Sequence, residues 1–140
     1  MVGLVIASHG RLAEELVSTA AQIVGPMPKV ATCSVVPGSS ADDVKQQIRD
    51  AVKLVDDGDG VIVLADLIGG SPCTQSLTLC QQARLEVITG VNLPMLIKAN
   101  ALRTGPQRLA LTDLAHELTA YGQRNITCAT DVLRAKSPAA

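Results

Sequence analysis

The segment from Val61 to Pro72 reads Val-Ile-Val-Leu-Ala-Asp-Leu-Ile-Gly-Gly-Ser-Pro and contains a strand, a polar turn and a helix start. The continuous apolar run Val61 to Ala65 predicts a parallel strand that is covered on both faces. Asp66 follows this strand directly, and a glycine pair comes soon after it. Ser71 is predicted to cap the next helix, with Pro72 at its first position. This order of elements indicates an α/β fold.

The same alternation extends in both directions from this segment. Apolar runs predict strands at 2–7, 30–36 and 85–89, and helical periodicity predicts helices between them. In the first helix, one predicted face contains Leu12, Leu16, Ala20 and Ile23. The last helix is predicted to begin at Pro106 and to end at Gly122. Repeated strand–helix units predict a doubly wound α/β domain, with a mostly parallel sheet and helices on both faces.

Length and composition limit the chain to one domain and exclude several classes of protein. Its 140 residues include one aromatic residue and carry a net charge of −1, without a basic run, so nucleic acid is not an expected partner. No apolar run is long enough to span a membrane, and no secretory signal precedes the first strand. We expect a cytoplasmic protein with reduced thiols, made of one domain at 1–134 and a loose tail at 135–140.

Polar residues cluster where the predicted strands end. The candidate segments are 8–10, 37–40, 66–72 and 90–94. Ligands of doubly wound sheets bind at this carboxyl edge, beside a switch in strand order. His9 and Asp66 each end a predicted central strand, so they can lie close together although they are far apart in sequence. Gly69, Gly70 and Ser71 begin a helix, whose free N–H groups and positive dipole end suit a phosphate.

Other common enzyme sites do not fit these residues. Cys73 occupies the last glycine position of a G-x-S-x-G elbow, and the G-x-G-x-x-G and G-K-[ST] motifs are missing from the sequence. A phospho-aspartate receiver would need an acidic pair where Ser8 and His9 stand. What remains is a histidine held by a carboxylate beside an anion-binding helix start. The plain alternatives are a histidine satisfied by a backbone carbonyl and an Asp66 that only ends a strand.

Four motifs, in this order, resemble the mannose-family enzyme IIA of the bacterial phosphoenolpyruvate:sugar phosphotransferase system. They are Ser8-His9-Gly10, Val36-Pro37-Gly38, the segment 66–72, and Gly90-Val91-Asn92-Leu93-Pro94-Met95-Leu96, within a match over about residues 1–125. The resemblance implies that His9 accepts a phosphoryl group from the phosphocarrier protein HPr while Asp66 orients the ring. No set of metal ligands is visible in the sequence, so we expect neither a metal nor a cofactor. The phosphoryl group would then pass to a separate IIB component, and the partner-docking rim would include Ser39, Ile68 and Asn92.

The resemblance also implies a homodimer that exchanges a C-terminal strand. Asn125 to Val132 has strand-like composition, so we expect it to form this edge strand. Contact with a membrane would be indirect, through a permease. Two alternatives stay open at this point: a regulatory phosphoprotein that signals phosphotransferase status without transport, and a binder of small anions that is never phosphorylated.

Overall fold

A computed structural model gives the structure of the chain and describes residues 1–67 and 69–136. The elements are β1 (Gly3–His9), α1 (Leu12–Val24), β2 (Val30–Val35), α2 (Ala41–Val55), β3 (Val61–Ala65), α3 (Ser71–Leu79), β4 (Leu85–Thr89), α4 (Leu93–Thr104), α5 (Leu111–Arg124) and α6 (Ala129–Lys136). All strand pairs are parallel, in the order β2-β1-β3-β4. The predicted α/β class and parallel sheet are confirmed.

Helices cover both faces of the sheet, as the apolar strands require. On one face, Leu4 and Ile6 of β1 pack into a core that α1, α4 and α5 complete. On the other face, Val5 and Ala7 pack into a second core with α2 and α3. Alternate side chains of a strand point to opposite faces, so a central strand needs apolar residues at every position. This is why the runs in β1 and β3 show no polar alternation.

The strand order places the ends of β1 and β3 side by side. From β1 the chain passes to β2 on one side, and it later returns to form β3 on the other side. Ala7 pairs with Ala65 in the β1–β3 ladder, so both strands end at the same edge. This is the switch point at which doubly wound sheets leave a crevice for ligands.

The predicted face of α1 is correct in its middle, where Ala20 is buried and Leu16 packs partly buried against the core, and wrong at its two ends. Ala13 and Ala20 are buried, whereas Leu12 and Ile23 are exposed. The buried hydroxyl of Ser8 in β1 accepts a hydrogen bond from the Ala13 N–H at 2.7 Å, which fixes the first turn of α1 against the sheet. The small side chains of Ala13 and Ala20 allow this close approach, whereas Leu12 and Ile23, near the two ends of the helix, are exposed.

Two helix ends also differ from prediction. Gly70, with Ser71 next to it as the first helical residue, is the N-cap of α3. Helix α5 begins at Leu111 instead of Pro106, and it continues through Gly122, which is buried in its last turns. An ideal Cβ at Gly122 would lie 2.6 Å from Met95 Cε, so this glycine serves close packing of α5 on α4 instead of ending the helix.

The predicted C-terminal strand is wrong. Residues 126–128 have no regular structure, and Ala129–Lys136 form α6, in which no residue is buried. A strand needs a neighbour to satisfy its backbone groups, whereas a helix satisfies them internally. Residues 135 and 136 of the predicted tail belong to α6, and 137–140 lie outside the described residues. Within the described ranges, no helix is long and apolar enough to cross a membrane.

Candidate functional site

His9 and Asp66, the two residues predicted to form the site, are in direct contact at the switch point. His9 is the last residue of β1, and Asp66 follows the last residue of β3. The ring atom Nδ1 of His9 lies 2.8 Å from Asp66 Oδ2. The His9 side chain is 49% exposed and the Asp66 side chain 9% exposed. The site therefore contains a solvent-accessible imidazole that contacts a nearly buried carboxylate.

Backbone donors hold the Asp66 carboxylate in place. Its Oδ2 accepts a hydrogen bond from the His9 backbone N–H at 2.8 Å, and its Oδ1 accepts one from the Leu67 N–H at 2.9 Å. Burial acts to raise the pKa of Asp66, but the hydrogen bonds from the His9 backbone, the His9 ring and Leu67 outweigh it and lower the pKa below its ordinary value. Asp66 is therefore ionised at neutral pH.

This carboxylate selects the tautomer of the neutral imidazole. An ionised carboxylate can only accept hydrogen bonds, so Nδ1 must carry the ring proton and donate it to Asp66. The lone pair is then on Nε2. Because the ring is half exposed, this nitrogen can act as a nucleophile toward a group that is brought to the edge of the sheet.

The start of α3 lies against the histidine ring. An ideal Cβ at Gly70 would lie 2.7 Å from His9 Cε1 and 3.5 Å from Nε2. Gly69 has a φ of +80°, a left-handed conformation that favours glycine. In the described part of the chain, no side chain caps the N-terminus of α3. Its first N–H groups, with the positive end of the helix dipole, therefore lie beside the ring where an anion can use them.

The three residues predicted for the partner rim have different surroundings. Ser39 is half-buried in the loop after β2, and its N–H donates to the Val36 carbonyl. Asn92 caps α4, since its Oδ1 accepts from the Met95 N–H at 3.0 Å and its Nδ2 donates to the Gly122 carbonyl at 3.1 Å. Both polar atoms of the Asn92 side chain are therefore hydrogen-bonded within the chain. Ile68 lies outside the described residues.

Three exposed apolar side chains at the same edge of the sheet were not predicted from the sequence. Leu12, Val36 and Leu67 are each about half exposed, at 49%, 56% and 52%. Leu12 begins α1 soon after His9, Val36 follows β2, and Leu67 follows Asp66. We name these three residues the apolar rim. Their position within three residues of a strand end is a signal that could have separated them from core residues.

The groups around His9 that could attract an anion belong to the backbone. In residues 1–67 and 69–136, no three His, Cys, Asp or Glu side chains are grouped so that they could hold an ion. The positive groups next to the candidate nucleophile are backbone N–H groups of α3.

Comparisons with known proteins agree with the fold and with the family resemblance. Residues 3–118 match the family model EIIA-man, described as PTS system fructose IIA component. The PTS system mannose-specific EIIAB component of Escherichia coli (strain K12) is 32% identical over 99% of the chain, which spans 44% of that relative's length. The PTS system fructose-specific EIIA component of Bacillus subtilis (strain 168) is 25% identical, over 95% of this chain and 90% of that one.

A solved structure shows the same architecture. The mannose/sorbose specific IIA subunit of the phosphotransferase system from Enterococcus faecalis superposes with a TM-score of 0.81 at 30% sequence identity. The superposition covers 91% of this chain and 93% of the other.

Proposed function

Because the chain belongs to the EIIA-man family of phosphotransferase-system IIA components, we propose that it carries a phosphoryl group on His9. The donor would be HPr and the acceptor a IIB component. The observation that carries this proposal is the His9–Asp66 pair, in which a half-exposed ring is held at 2.8 Å by an ionised carboxylate. A histidine that served only the fold would not need an exposed ring nitrogen next to an open helix start.

The proposed step is an in-line transfer between two histidines. The Nε2 lone pair of His9 attacks the phosphorus of phosphohistidine on HPr, so that a new N–P bond forms while the N–P bond to HPr breaks. The Nδ1 proton stays on the ring, and the electron pair of the broken bond returns to the HPr imidazole. Asp66 stabilises the positive charge that develops on the phosphorylated ring.

The start of α3 supports the same step. The N–H groups after Gly70 and the helix dipole offer fixed positive charge to the phosphoryl oxygens. Gly69, Gly70 and Ser71 are therefore proposed as the phosphate-binding residues. Catalysis would consist of positioning and electrostatic stabilisation, without a metal ion or a cofactor.

The partners are proposed to dock on the apolar rim around His9. Leu12, Val36 and Leu67 offer apolar area at the place where the phosphoryl group must pass between two proteins. HPr and the IIB component would use this surface in turn, because each must reach Nε2. We also propose that the chain forms a homodimer and acts in the cytoplasm, with a permease as its indirect contact with the membrane.

Phosphorylation in a reconstituted system tests the proposal. The purified chain is incubated with phosphoenolpyruvate, enzyme I and HPr, and its intact mass is measured. We expect one added phosphoryl group that is acid-labile and base-stable, as a phosphoramidate should be. His9→Ala should abolish the addition, and His116→Ala, in an exposed position on α5, should leave it unchanged. Phosphorylation of His9→Ala would overturn the assignment.

A further inference from the structure

A cavity of about 410 Å³ opens at the edge of the sheet opposite to His9. Its lining residues include Val2, Asp59 and Arg84, which precede β1, β3 and β4, together with the end of α4 and the start of α5. The seven residues of β1 separate this edge from His9 by about 20 Å at roughly 3.3 Å per residue. The cavity is therefore distinct from the candidate phosphoryl site, and nothing in the proposed function uses it.

Arg103 in the wall of this cavity is a buried cation with unused donors. Arg103 is only 6% exposed. Its Nη2 donates to the Pro28 carbonyl, whereas Nε and Nη1 have no hydrogen-bond partner in the described structure. A buried charge with unpaired donors is costly to the fold unless something binds there. Burial lowers the pKa of Arg103 to about 10, so the guanidinium is still charged at neutral pH.

Two further guanidinium groups line the same cavity. Arg84 and Arg108 are exposed residues of its wall. The carboxylate among the described lining residues is Asp59, and the amino group of Met1 already binds it. The cavity thus has a surplus of positive charge. Part of its wall is apolar, with Leu102, Leu109 and Leu111 as contributors.

We propose that this cavity binds a small organic phosphate monoester. The phosphate would pair with the exposed guanidinium of Arg108. Nε and Nη1 of Arg103 are buried in this structure, so they would donate to the phosphate after a small turn of the side chain toward the cavity. A tetrahedral dianion can accept from more than one guanidinium. The volume lies in the range of small-molecule sites, about 300–1,000 Å³, and leaves room for an organic body beyond the phosphate. The apolar wall and the start of α5 would contact this body.

Calorimetric titration of the full chain with glucose 6-phosphate tests the proposal at about 0.15 M salt, where weak surface attraction is screened. Inorganic phosphate serves as a competitor, glucose as the uncharged probe and citrate as a polycarboxylate probe. We expect saturable binding of glucose 6-phosphate, competition by phosphate and no heat with glucose. Binding of citrate without binding of either phosphate would overturn the choice of a phosphate ligand.

Variants of the cavity wall test whether the ligand binds in this cavity. Arg108→Gln changes an exposed side chain and should weaken binding about ten-fold, in line with the loss of one charge-assisted contact. Arg103→Met keeps the length of the apolar stem and should abolish binding. Arg49→Gln, on α2 at the other face of the sheet, is the matched control and should bind like the wild type. His9→Ala should also bind normally, so the result is independent of the phosphoryl site.

Equal affinities of wild type, Arg103→Met and Arg108→Gln would overturn the proposed site. Loss of binding in His9→Ala would place the ligand at the other edge and would equally overturn it. If Arg103→Met fails to fold, Arg108→Gln still decides the outcome, because the Arg108 side chain is exposed and its change leaves the core intact.

Discussion

At the scale of single residues, the carboxylate of Asp66 has two separable roles, namely its charge and its choice of the ring tautomer. Asp66→Asn removes the charge, and the amide can offer its N–H to Nδ1, which moves the ring proton to Nε2. We expect the variant to fold and to accept a phosphoryl group at least about 100-fold more slowly, as in other histidines that lose an orienting carboxylate. Rapid-quench phosphorylation by HPr measures the rate. Equal rates would show that Asp66 only ends a strand.

The lowered pKa of Asp66 also predicts a pH dependence of stability. The unfolded chain has an aspartate pKa of about 3.9, and the folded value is lower. The stabilisation by the hydrogen-bonded carboxylate is therefore fully present above about pH 4 and is lost as the pH falls through the folded pKa. Urea unfolding at several pH values should show the wild type losing more stability than Asp66→Asn on acidification below about pH 4. Parallel curves would contradict the pKa shift.

Gly70 tests how closely the ring must be held. Its φ of −79° and ψ of 162° are open to any residue, so Gly70→Ala adds a contact with His9 Cε1 without backbone strain. We expect the ring to move and phosphorylation to slow about ten-fold or more, since misplacement of about 1 Å can cost 100-fold. Gly105→Ala is the matched control, with similar dihedral angles and a Cβ 2.9 Å from the Ala101 carbonyl oxygen.

Gly105→Ala should affect stability alone, and phosphorylation should proceed at the wild-type rate. The prediction for Gly70→Ala fails when both alanine variants slow the transfer equally, because the effect would then be a general loss of folding.

At the scale of elements, Asn92 joins α4 to α5 at the edge of the candidate site. Its side chain caps α4 and also donates to Gly122 within α5. Asn92→Ala should therefore lower the free energy of unfolding by about 0.5–2 kcal/mol, the usual range for a lost cap. Asn92→Asp keeps the cap and loses the donor to Gly122, so it should cost less. Urea unfolding gives both values.

The same pair of variants separates a structural role from a role in the partner rim. A structural Asn92 predicts unchanged transfer from HPr at a temperature where both variants are folded. Slower transfer at unchanged stability would instead support the predicted rim.

Elements were predictable where local pattern and burial agree. The strands β1 and β3 contain continuous apolar runs, at 2–7 and 61–65, so their positions were predictable from the sequence alone. The rule for strand ends then predicted that His9 and Asp66 lie close together. The middle of the α1 face, at Leu16 and Ala20, was predictable from periodicity, but the burial of Ala13 in place of Leu12 was not, because it depends on a hydrogen bond to Ser8 in another element. Gly122 was assigned to a helix end because glycine usually ends helices, whereas here it serves contact with Met95. Such contacts between distant segments leave no periodic signal.

At the scale of the whole molecule, the C-terminal segment, residues 125–136, is exposed along its whole length. In the described structure no residue of α6 is buried, and Ile126 and Val132 are exposed at 78% and 44%. In contrast, the His9 site and both cores lie within residues 1–124. Strands β2 and β4 each have one neighbour in the sheet. A second copy could therefore cover apolar area on this segment without disturbing either core.

Truncation after Arg124 tests this division of roles. We expect the full chain to be a homodimer by light scattering and the truncated chain to be a monomer, because the segment that holds the copies together is gone. The truncated chain should still fold and accept one phosphoryl group on His9, since no core or site residue has been removed. A truncated chain that stays dimeric would exclude the C-terminal segment as the interface. If the truncated chain unfolds, the association of two copies must stabilise the cores. We do not expect this result, because the core residues are buried within a single chain.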